Sequence, residues 1–421
     1  MLVRDWPRPP NRIPVVREMK FRLLIASAIL ASSSHTWAAE VSLPDALAQG
    51  SQNSPRIAQA RAQAQAAEAR ARQAGVSPNP EISLEVENFA GTGPYRDTRS
   101  AETTLALSQR IELGGKRSAR VAVATSERDF ALLSLRRAEA DLARDIRVGH
   151  AELRAAEDRA VLARDNVGQA RELARTARLL VEVGRDPPLR QLRAEALLAE
   201  AQAEEALAFG ELLAARRLLA DLIGSGDSEL SASISGDEAV PGALPPETPS
   251  LDEQLAAAER DAAQARIRVA RAEAVPDVTA SGGVRRINDG RETAFVAGFS
   301  IPLPIRNRNR GGIEAAQSDS LASEAALAQA RLTARRAQHD ARMLMGAADA
   351  RVAALSGPSL AQAEEAVQLA RIGYSAGKFS LLELLDAQAA LTTAKTALIE
   401  ARLDRACALA ALIRANARAG D

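Results

Sequence analysis

Apolar and polar residues alternate along four short segments of the chain. The first pair, "EISLEVENF" (Glu81–Phe89) and "TTLALSQRIEL" (Thr103–Leu113), is separated by the turn-rich stretch "AGTGPYRDTR". The second pair, "DVTASGGVRRI" (Asp277–Ile287) and "TAFVAGFSIPL" (Thr293–Leu303), is separated by "NDGRE". Alternation with a period of two predicts β-strands, and the intervening turn residues predict two hairpins.

The length and period of these strands fit a tilted transmembrane strand, with lipid on one face and water on the other. A half-buried hairpin in a soluble sheet has the same period, so the alternation alone leaves both interpretations open. Four strands are too few to close a membrane barrel, which needs about eight, whereas three chains would supply twelve. In that barrel the polar positions would line the lumen. They are four acidic residues and one arginine: Glu81, Glu85, Glu87, Glu112 and Arg110.

Long helical patterns surround each predicted hairpin. Shorter helices precede the strands at about Pro44–Gly75 and Ser250–Ala274. The stretch Gly114–Glu182 contains no proline, and a helix of that length would reach about 100 Å. The second copy, about 308–375, has one interruption at Gly357-Pro358, where a proline can kink a helix or begin a new one. Such lengths without caps predict coiled coil.

Each long helix ends at a Gly-basic turn that leads into a returning helix. The turns are "VEVGRDPPLRQLRAEALL" (Val181–Leu198) and "YSAGKFSLLELLDAQAAL" (Tyr374–Leu391). Heptad spacing predicts these seams: Leu189, Leu192, Ala196, Ala199, Ala203 and Ala206 in the first returning helix; Leu382, Leu385, Ala389, Thr392, Thr396, Ile399, Leu403, Ala406 and Ala410 in the second; Leu360, Ala363, Val367, Ala370 and Tyr374 in the descending helix.

The order of helix, two strands, long helix, turn and helix therefore occurs twice. We predict an N-terminal extension with a signal peptide at residues 1–39, a first repeat at 40–223 and a second at 251–421. The Gly-, Ser- and Pro-rich stretch 224–250 between the repeats lacks periodicity and is predicted to be a loop-like linker.

The N-terminus has the organisation of a secretory signal. From Met19, basic residues precede the apolar run Leu23–Ala31, and small residues follow it, which predicts cleavage near Ala38 or Ala39. The apolar run is too short to cross a bilayer as a helix. The protein is therefore expected to be exported, with residues 1–18 as an upstream extension.

Composition and charge restrict the remaining function classes. The chain has 54 basic and 54 acidic residues, which gives no support for a nucleic-acid partner. The single Cys407 excludes an intramolecular disulfide, and His150 and His339 have no Cys or His partner at ligand spacing, so we expect helix-surface histidines and no metal site. "LGGKRS" (Leu113–Ser118) lacks the first glycine of a phosphate loop and better fits a strand-to-helix bend. No catalytic constellation is present, so an enzyme and a cofactor are not expected.

Three motifs in this duplicated order carry a family resemblance. "SPNPEI", "IELGGKRSAR" and "YSAGKFSLLELLDAQAAL" resemble the outer-membrane efflux protein (TolC) family over about Glu40–Ala417. "FVAGFSIPLPIRNRNRGGIEAAQ" (Phe295–Gln317) is similar to the heavy-metal, CzcC-like branch. The resemblance implies a mainly α-helical channel-tunnel with a membrane β-barrel: two structural repeats, four strands and long coiled-coil helices per chain, and a twelve-stranded barrel in a homotrimer.

The same resemblance implies a function, partners and a gate. It implies the outer-membrane component of a tripartite efflux system for divalent cations such as cobalt, zinc, cadmium or nickel. The channel would span into the periplasm and dock on a periplasmic adaptor and an inner-membrane resistance-nodulation-division pump. In the family, aromatic and charged residues around the Gly turns link neighbouring coils at the closed end. The matching or nearby positions here are Gly184, Arg185, Asp186, Arg190, Tyr374, Gly377, Lys378 and Glu383.

The match at the turns has departures, and other readings stay open. Lys378 directly follows the glycine, whereas the best-known member of the family has its basic residue one position later. Arg190 occupies a position where that member has an acidic residue, and Asp186 is the nearby carboxylate here. Gly184 and Gly377 could simply be helix C-caps. The lumen acids could favour cations or could be ordinary polar lining. The alternative functions are a channel for drugs or other small molecules, and a soluble periplasmic coiled-coil adaptor.

Overall fold

In the computed structural model the described residues are 39–226, 230–233 and 249–419. The predicted extension and signal peptide, up to the cleavage region at Ala38, lie outside the described residues, as does most of the predicted linker. None of the helices in these described ranges combines the length and apolarity that a membrane-crossing helix requires.

The first repeat contains its predicted elements in the predicted order. After the short strand β1 (Ala39–Val41), which was not predicted, they are α1 (Leu43–Asn53), α2 (Pro55–Ala74), β2 (Glu81–Glu87), β3 (Glu102–Ile111), α3 (Lys116–Glu182) and α4 (Pro188–Ile223). The prediction of one unbroken helix over Pro44–Gly75 is wrong at Ser54, whose backbone is extended. Pro55 causes the break, because proline disfavours a helical conformation in the residue before it and is tolerated as the first residue of a new helix.

The second repeat has the same order. Its elements are β4 (Leu230–Ala232), α5 (Leu251–Glu273), β5 (Val278–Ile287), β6 (Glu292–Ser300), α6 (Arg310–Ser356), α7 (Pro358–Ser375) and α8 (Leu381–Asn416). Pro358 is the first residue of a new helix, as one of the two predicted outcomes requires. The loop prediction for 224–250 is wrong for β4, which pairs in parallel with β1. β6 ends at Ser300 rather than at Leu303, because Pro302 has no N–H for the ladder.

The four predicted strands form one antiparallel sheet in the order β2-β3-β5-β6. The two hairpins join through β3 and β5, so the repeats meet at the centre of the sheet. One row across the sheet consists of Leu84, Leu105, Val284 and Phe295, and the adjacent row on the opposite face begins at Glu85. The predicted alternation is confirmed, and the apolar face is solvent-exposed in the single chain: Phe295 is 91% exposed.

The helices pack lengthwise against each other in two places that position the functional regions. Near the small β1–β4 sheet, a core forms between α1, the start of α2, α3 and α4, with Ile57, Ile146, Leu153, Leu219 and Ile223 almost fully buried. Farther along the same helices, a second cluster joins α3 and α4 to α7 and α8 close to both turns. The two helical hairpins therefore lie side by side up to their tips.

The seams of the helices are only partly as predicted. The descending seam is confirmed, since Val367 and Ala370 are buried. The predicted α4 seam is wrong: Leu189 and Leu192 are 74% and 63% exposed, and the buried positions are Ala194, Ala208, Leu212 and Leu219. In the first turns of α8 the buried residues are Leu381, Leu384 and Leu391 rather than Leu382, Leu385 and Ala389, whereas Ile399 and Ala410 are buried as predicted.

Candidate functional site at the hairpin tips and sheet

Both Gly-basic turns are Schellman C-caps with the same hydrogen bonds. Gly184 has φ +72° and Gly377 has φ +70°, in the left-handed region that favours glycine. At the first turn the N–H of Arg185 donates to the carbonyl of Leu180 at 2.9 Å, and at the second the N–H of Lys378 donates to that of Gly373 at 2.8 Å. The repeated turn therefore satisfies the free carbonyls at the ends of α3 and α7, as the C-cap interpretation predicts.

The two turns start their returning helices in different ways. Pro187-Pro188 lead into α4, with Pro188 as its first residue. α8 instead begins with a capping box, in which Ser380 and Glu383 each accept a hydrogen bond from the other's backbone N–H. The hydrogen bond from the Ser380 N–H lowers the pKa of Glu383. In the single chain Glu383 is therefore engaged by its own helix rather than by a neighbouring coil.

A buried polar contact lies where the two tips meet. The Asp186 side chain is 8% exposed, and one of its oxygens accepts a hydrogen bond from Arg190 in the same turn. Within the described residues, the other Asp186 oxygen and the Tyr374 hydroxyl are buried and have no hydrogen-bond partner. Burial raises the pKa of Tyr374, and the negative charge of Asp186 raises it further. The structure thus brings Tyr374, Asp186 and Arg190 together across the two hairpins.

The basic residues that follow the glycines have a different environment. Arg185 and Lys378 are exposed, and no carboxylate in the described parts of the chain forms an ion pair with either. Each therefore projects a free cation from the tip of its hairpin. Such groups are available to a neighbouring chain or to another protein.

The polar face of the sheet contains an arginine that the sequence interpretation missed. The five predicted lumen residues do not form one cluster: Glu81, Glu85 and Glu87 lie along β2, and Arg110 lies near the end of β3. Arg285 on β5 is the residue that opposes the acids, at 3.2 Å from Glu87 and 2.8 Å from Glu102. The alternation in "DVTASGGVRRI" places Arg285 on the polar side of β5, so this pattern could have identified it as a lumen residue.

A second group of charges fixes the bend between sheet and helix. Glu112 lies just beyond β3 and is bonded to Arg120 of α3, which lowers the pKa of its carboxyl. The Nζ of Lys116 lies 2.6 Å from Asp277, which precedes β5. Gly114 has φ +69°, and a side chain there would collide with Val275 at 2.7 Å. The double glycine is therefore the predicted strand-to-helix bend, and Glu112 belongs to it rather than to the strand.

The histidines and the cysteine provide no metal centre among the described residues. His339 is exposed, as predicted for a helix-surface histidine. The same prediction is wrong for His150, which is buried and has its Nε2 3.2 Å from the carbonyl of Val41. Burial lowers the pKa of His150. Its role in the structure is to join α3 to the small β1–β4 sheet.

Comparisons with known proteins agree with this architecture. The family model described as "Outer membrane efflux protein" matches residues 46–225 and 249–418. The chain is 32% identical over 338 residues to the cobalt-zinc-cadmium resistance protein CzcC of Cupriavidus metallidurans, covering 77% of each chain. It is 33% identical over 274 residues to the nickel-cobalt-cadmium resistance protein NccC of Alcaligenes xylosoxydans xylosoxydans, covering 64% of this chain and 62% of NccC.

A solved structure shares the fold at lower sequence identity. The Campylobacter jejuni CmeC outer membrane channel superimposes with a TM-score of 0.78 at 16% identity, covering 89% of this chain and 85% of that one. At this identity the similarity concerns the fold alone. It confirms the predicted architecture of two repeats with long helical hairpins and a four-stranded sheet.

Proposed function

Because the chain belongs to the outer membrane efflux protein family, we propose that it is the outer-membrane channel of a tripartite efflux system that exports divalent heavy-metal cations. It would act as a passive conduit with a gated periplasmic entrance. Its substrates would be of the cobalt, zinc, cadmium and nickel type.

The observation that carries the substrate assignment is the similarity to two metal-resistance proteins. One of them, CzcC, matches over 77% of both chains, so the likeness reaches into both repeats. The segment "IPLPIRNRNRGG" after β6, which is similar to the same branch, lies within the matched second repeat. The alternative is a channel for drugs or other small molecules. The metal and drug tolerance of a deletion strain distinguishes the two.

The amphipathic sheet supports a membrane-inserted barrel formed by several chains. Its apolar face is exposed over β2, β3, β5 and β6, with Ile82, Leu84, Phe295 and Phe299 among its most exposed residues. Within the described residues, β2 and β6 each pair on one side only and leave an open edge. Three copies joined at these edges would close a twelve-stranded barrel with lipid outside and water inside. This geometry favours a homotrimer.

The polar face of the sheet would then line the lumen. Glu81 and Glu85 are exposed, whereas Glu87 is held by Arg285 and Glu112 by Arg120. Carboxylates around a pore favour cations over anions. We therefore assign any cation preference of the barrel to Glu81 and Glu85, with Arg285 and Arg110 as opposing charges.

The hairpin tips would form the periplasmic gate. Tyr374 and Asp186 have unused hydrogen-bonding capacity in the interface between the two hairpins, and Arg190 holds one oxygen of Asp186. Arg185 and Lys378 extend the contact surface toward neighbouring hairpins and toward a periplasmic adaptor. Gly184, Gly377 and Glu383 would shape the turns rather than bond across coils.

The proposal also specifies location and partners. The mature chain would begin near Ala38 or Ala39, after removal of the signal peptide, and would reside in the outer membrane. A periplasmic adaptor and an inner-membrane resistance-nodulation-division pump would supply substrate and energy. No catalytic chemistry is required of the chain, because it only provides the path.

A deletion strain of the native host tests the proposal. Loss of the gene is expected to lower tolerance to cobalt, zinc, cadmium or nickel salts, and the wild-type gene should restore it. Drug sensitivity with unchanged metal tolerance would overturn the substrate assignment. Membrane fractionation of the complemented cells tests the class of protein: an adaptor would stay soluble without detergent, whereas a channel requires detergent for extraction.

A further inference from the structure

The segment between β6 and α6 combines apolar and cationic side chains on an exposed loop. We name it the junction loop, Ile301–Arg310, "IPLPIRNRNR", and include in it Arg310, the first residue of α6. Ile301, Leu303 and Ile305 are 52%, 76% and 75% exposed. Pro302 and Pro304 alternate with them and favour extended backbone in each preceding residue. The loop therefore presents three apolar side chains to its surroundings.

The junction loop continues the apolar face of the sheet and is held at its far end. Phe295, Ala297 and Phe299 of β6 precede it at the same intervals of two residues. Asn309 has φ +53°, and its side-chain amide donates to the carbonyl of Ala270 at 2.7 Å. This bond anchors the loop to α5, so the loop has a defined position on the helical side of the sheet.

The arginines of the junction loop are not neutralised within the described structure. Arg306, Arg308 and Arg310 are exposed, and no described carboxylate forms an ion pair with any of them. Arg308 donates only to the backbone carbonyl of Pro304, at 3.2 Å. At the corresponding bend of the first repeat, Lys116 pairs with Asp277 and Arg120 with Glu112, and Arg117 is exposed without an ion pair to any described carboxylate. The second bend thus has three arginines without an ion pair to a described carboxylate, whereas most of the cations at the first bend are paired.

We infer that the junction loop binds the phosphate groups of anionic phospholipids at the inner surface of the membrane. This inference rests on the proposed channel function, which places the apolar face of the sheet in lipid. Apolar side chains that extend beyond the strand would enter the acyl region, and the arginines would lie at headgroup depth. Guanidinium groups bind phosphate through paired N–H donors, and each cation near an anionic surface adds measurably to the attraction.

An acidic surface on a second copy of the chain is the competing occupant. The combination of cations with three exposed apolar residues favours lipid, because a chain–chain ion pair would not require apolar residues directed to the outside. The two occupants differ in their response to lipid charge and in the effect on assembly. One set of variants can therefore separate them.

Native mass spectrometry of the full-length protein in non-ionic detergent tests the inference. The probes are phosphatidylglycerol, phosphatidylcholine and inorganic phosphate. The variant R306Q/R308Q/R310Q removes the cations, and Leu303→Asn removes one apolar contact. The control variant R331Q/R335Q/R336Q removes three exposed arginines from the middle of α6 and causes the same loss of charge.

The expected result is preferential retention of phosphatidylglycerol by the wild type and the control. Affinity should fall about fivefold for each arginine removed, with phosphatidylcholine binding unchanged. Leu303→Asn should also weaken phosphatidylglycerol binding, which a site for free phosphate would not show. Unchanged phosphatidylglycerol binding in the triple variant would overturn the inference. So would a triple variant that dissociates into monomers while its lipid binding is unaltered.

Planar-bilayer recording of the same proteins separates this inference from the proposed function. Conducting pores together with charge-independent lipid binding would overturn the lipid site and leave the channel intact. A wild type that forms no pores in any lipid would overturn the channel function itself.

Discussion

Lys116 at the start of α3 lies 2.6 Å from Asp277, the residue before β5, and so joins the first repeat to the second at the point where sheet becomes helix. The backbone N–H of Leu113 also donates to Asp277, at 3.3 Å. Both side chains are largely shielded from solvent. Because Gly114 and Gly115 leave the bend without side-chain support, this pair and the Leu113 hydrogen bond restrain it across the two repeats.

We predict that Asp277→Asn destabilises the protein by about 1–2 kcal/mol, because it leaves the Lys116 ammonium without its carboxylate. The measurement is the thermal midpoint of helical circular dichroism in detergent. Arg117→Gln is the matched control, since Arg117 is exposed one residue away. Equal midpoints for Asp277→Asn and wild type would show that the pair contributes nothing to the bend.

The same pair has a defined pH dependence. Burial works against the charged form of Asp277, but the hydrogen bonds from Lys116 and Leu113 outweigh it and lower the pKa of the carboxyl. A lowered folded-state pKa means that the stabilisation is fully present above the unfolded value of about 3.9 and is lost as pH falls through the folded value. The difference between wild type and Asp277→Asn should therefore be constant from pH 7 to pH 5 and shrink below about pH 4.

Two glycine substitutions should have opposite effects on stability. Gly377→Ala forces a side chain into the left-handed region at φ +70° and should cost about 1 kcal/mol, although nothing lies within contact distance of the added methyl. Gly168→Ala, at an exposed position inside α3 with equally open surroundings, should stabilise by about 0.5–1 kcal/mol. Thermal midpoints in the order Gly168→Ala, wild type, Gly377→Ala are expected. A Gly377→Ala protein as stable as wild type would contradict the C-cap interpretation.

The order of elements could be predicted from the sequence because strong local signals mark it. Alternation identified the four strands of the antiparallel sheet, and the absence of proline identified α3. The seam of α4 could not be predicted, because apolar residues occur on every side of this helix: Leu189 and Leu207 are exposed while Leu212 and Leu219 are buried. Two stripes with heptad spacing then compete, and only packing against α3 decides which one is buried.

The sequence indicated which residues lie at the candidate site, but it did not indicate which of them pair with each other. The sequence located both turns, but the partners of their residues depend on how the two hairpins pack. Asp186 bonds to Arg190 within its own turn, and Glu383 caps its own helix. The burial of His150 depends on β1, a short strand that has no periodicity to reveal it.

Arg285→Gln is expected to increase the cation preference of the channel. Arg285 neutralises Glu87 and Glu102 on the polar face, so its removal would leave both carboxylates facing the water-filled lumen. The measurement is the reversal potential in a potassium chloride gradient across a planar bilayer. Arg286→Gln is the control, because the adjacent side chain belongs to the opposite face of the sheet. If both variants shift the potential equally, the sheet does not line the conduction path as proposed.

Tyr374→Phe combined with Lys378→Ser is expected to raise single-channel conductance, because it removes a buried hydroxyl and a free cation from the tip. The hydroxyl has no partner in the single described chain, so its loss should not lower the thermal midpoint, whereas an assembled gate would lose a contact between hairpins. Asp186→Asn, which weakens the hold of Arg190, should change conductance in the same direction. Tyr95→Phe is the matched control, since Tyr95 is the only other tyrosine and lies in the exposed loop between β2 and β3. Conductance unchanged in all tip variants would assign these residues to turn structure alone.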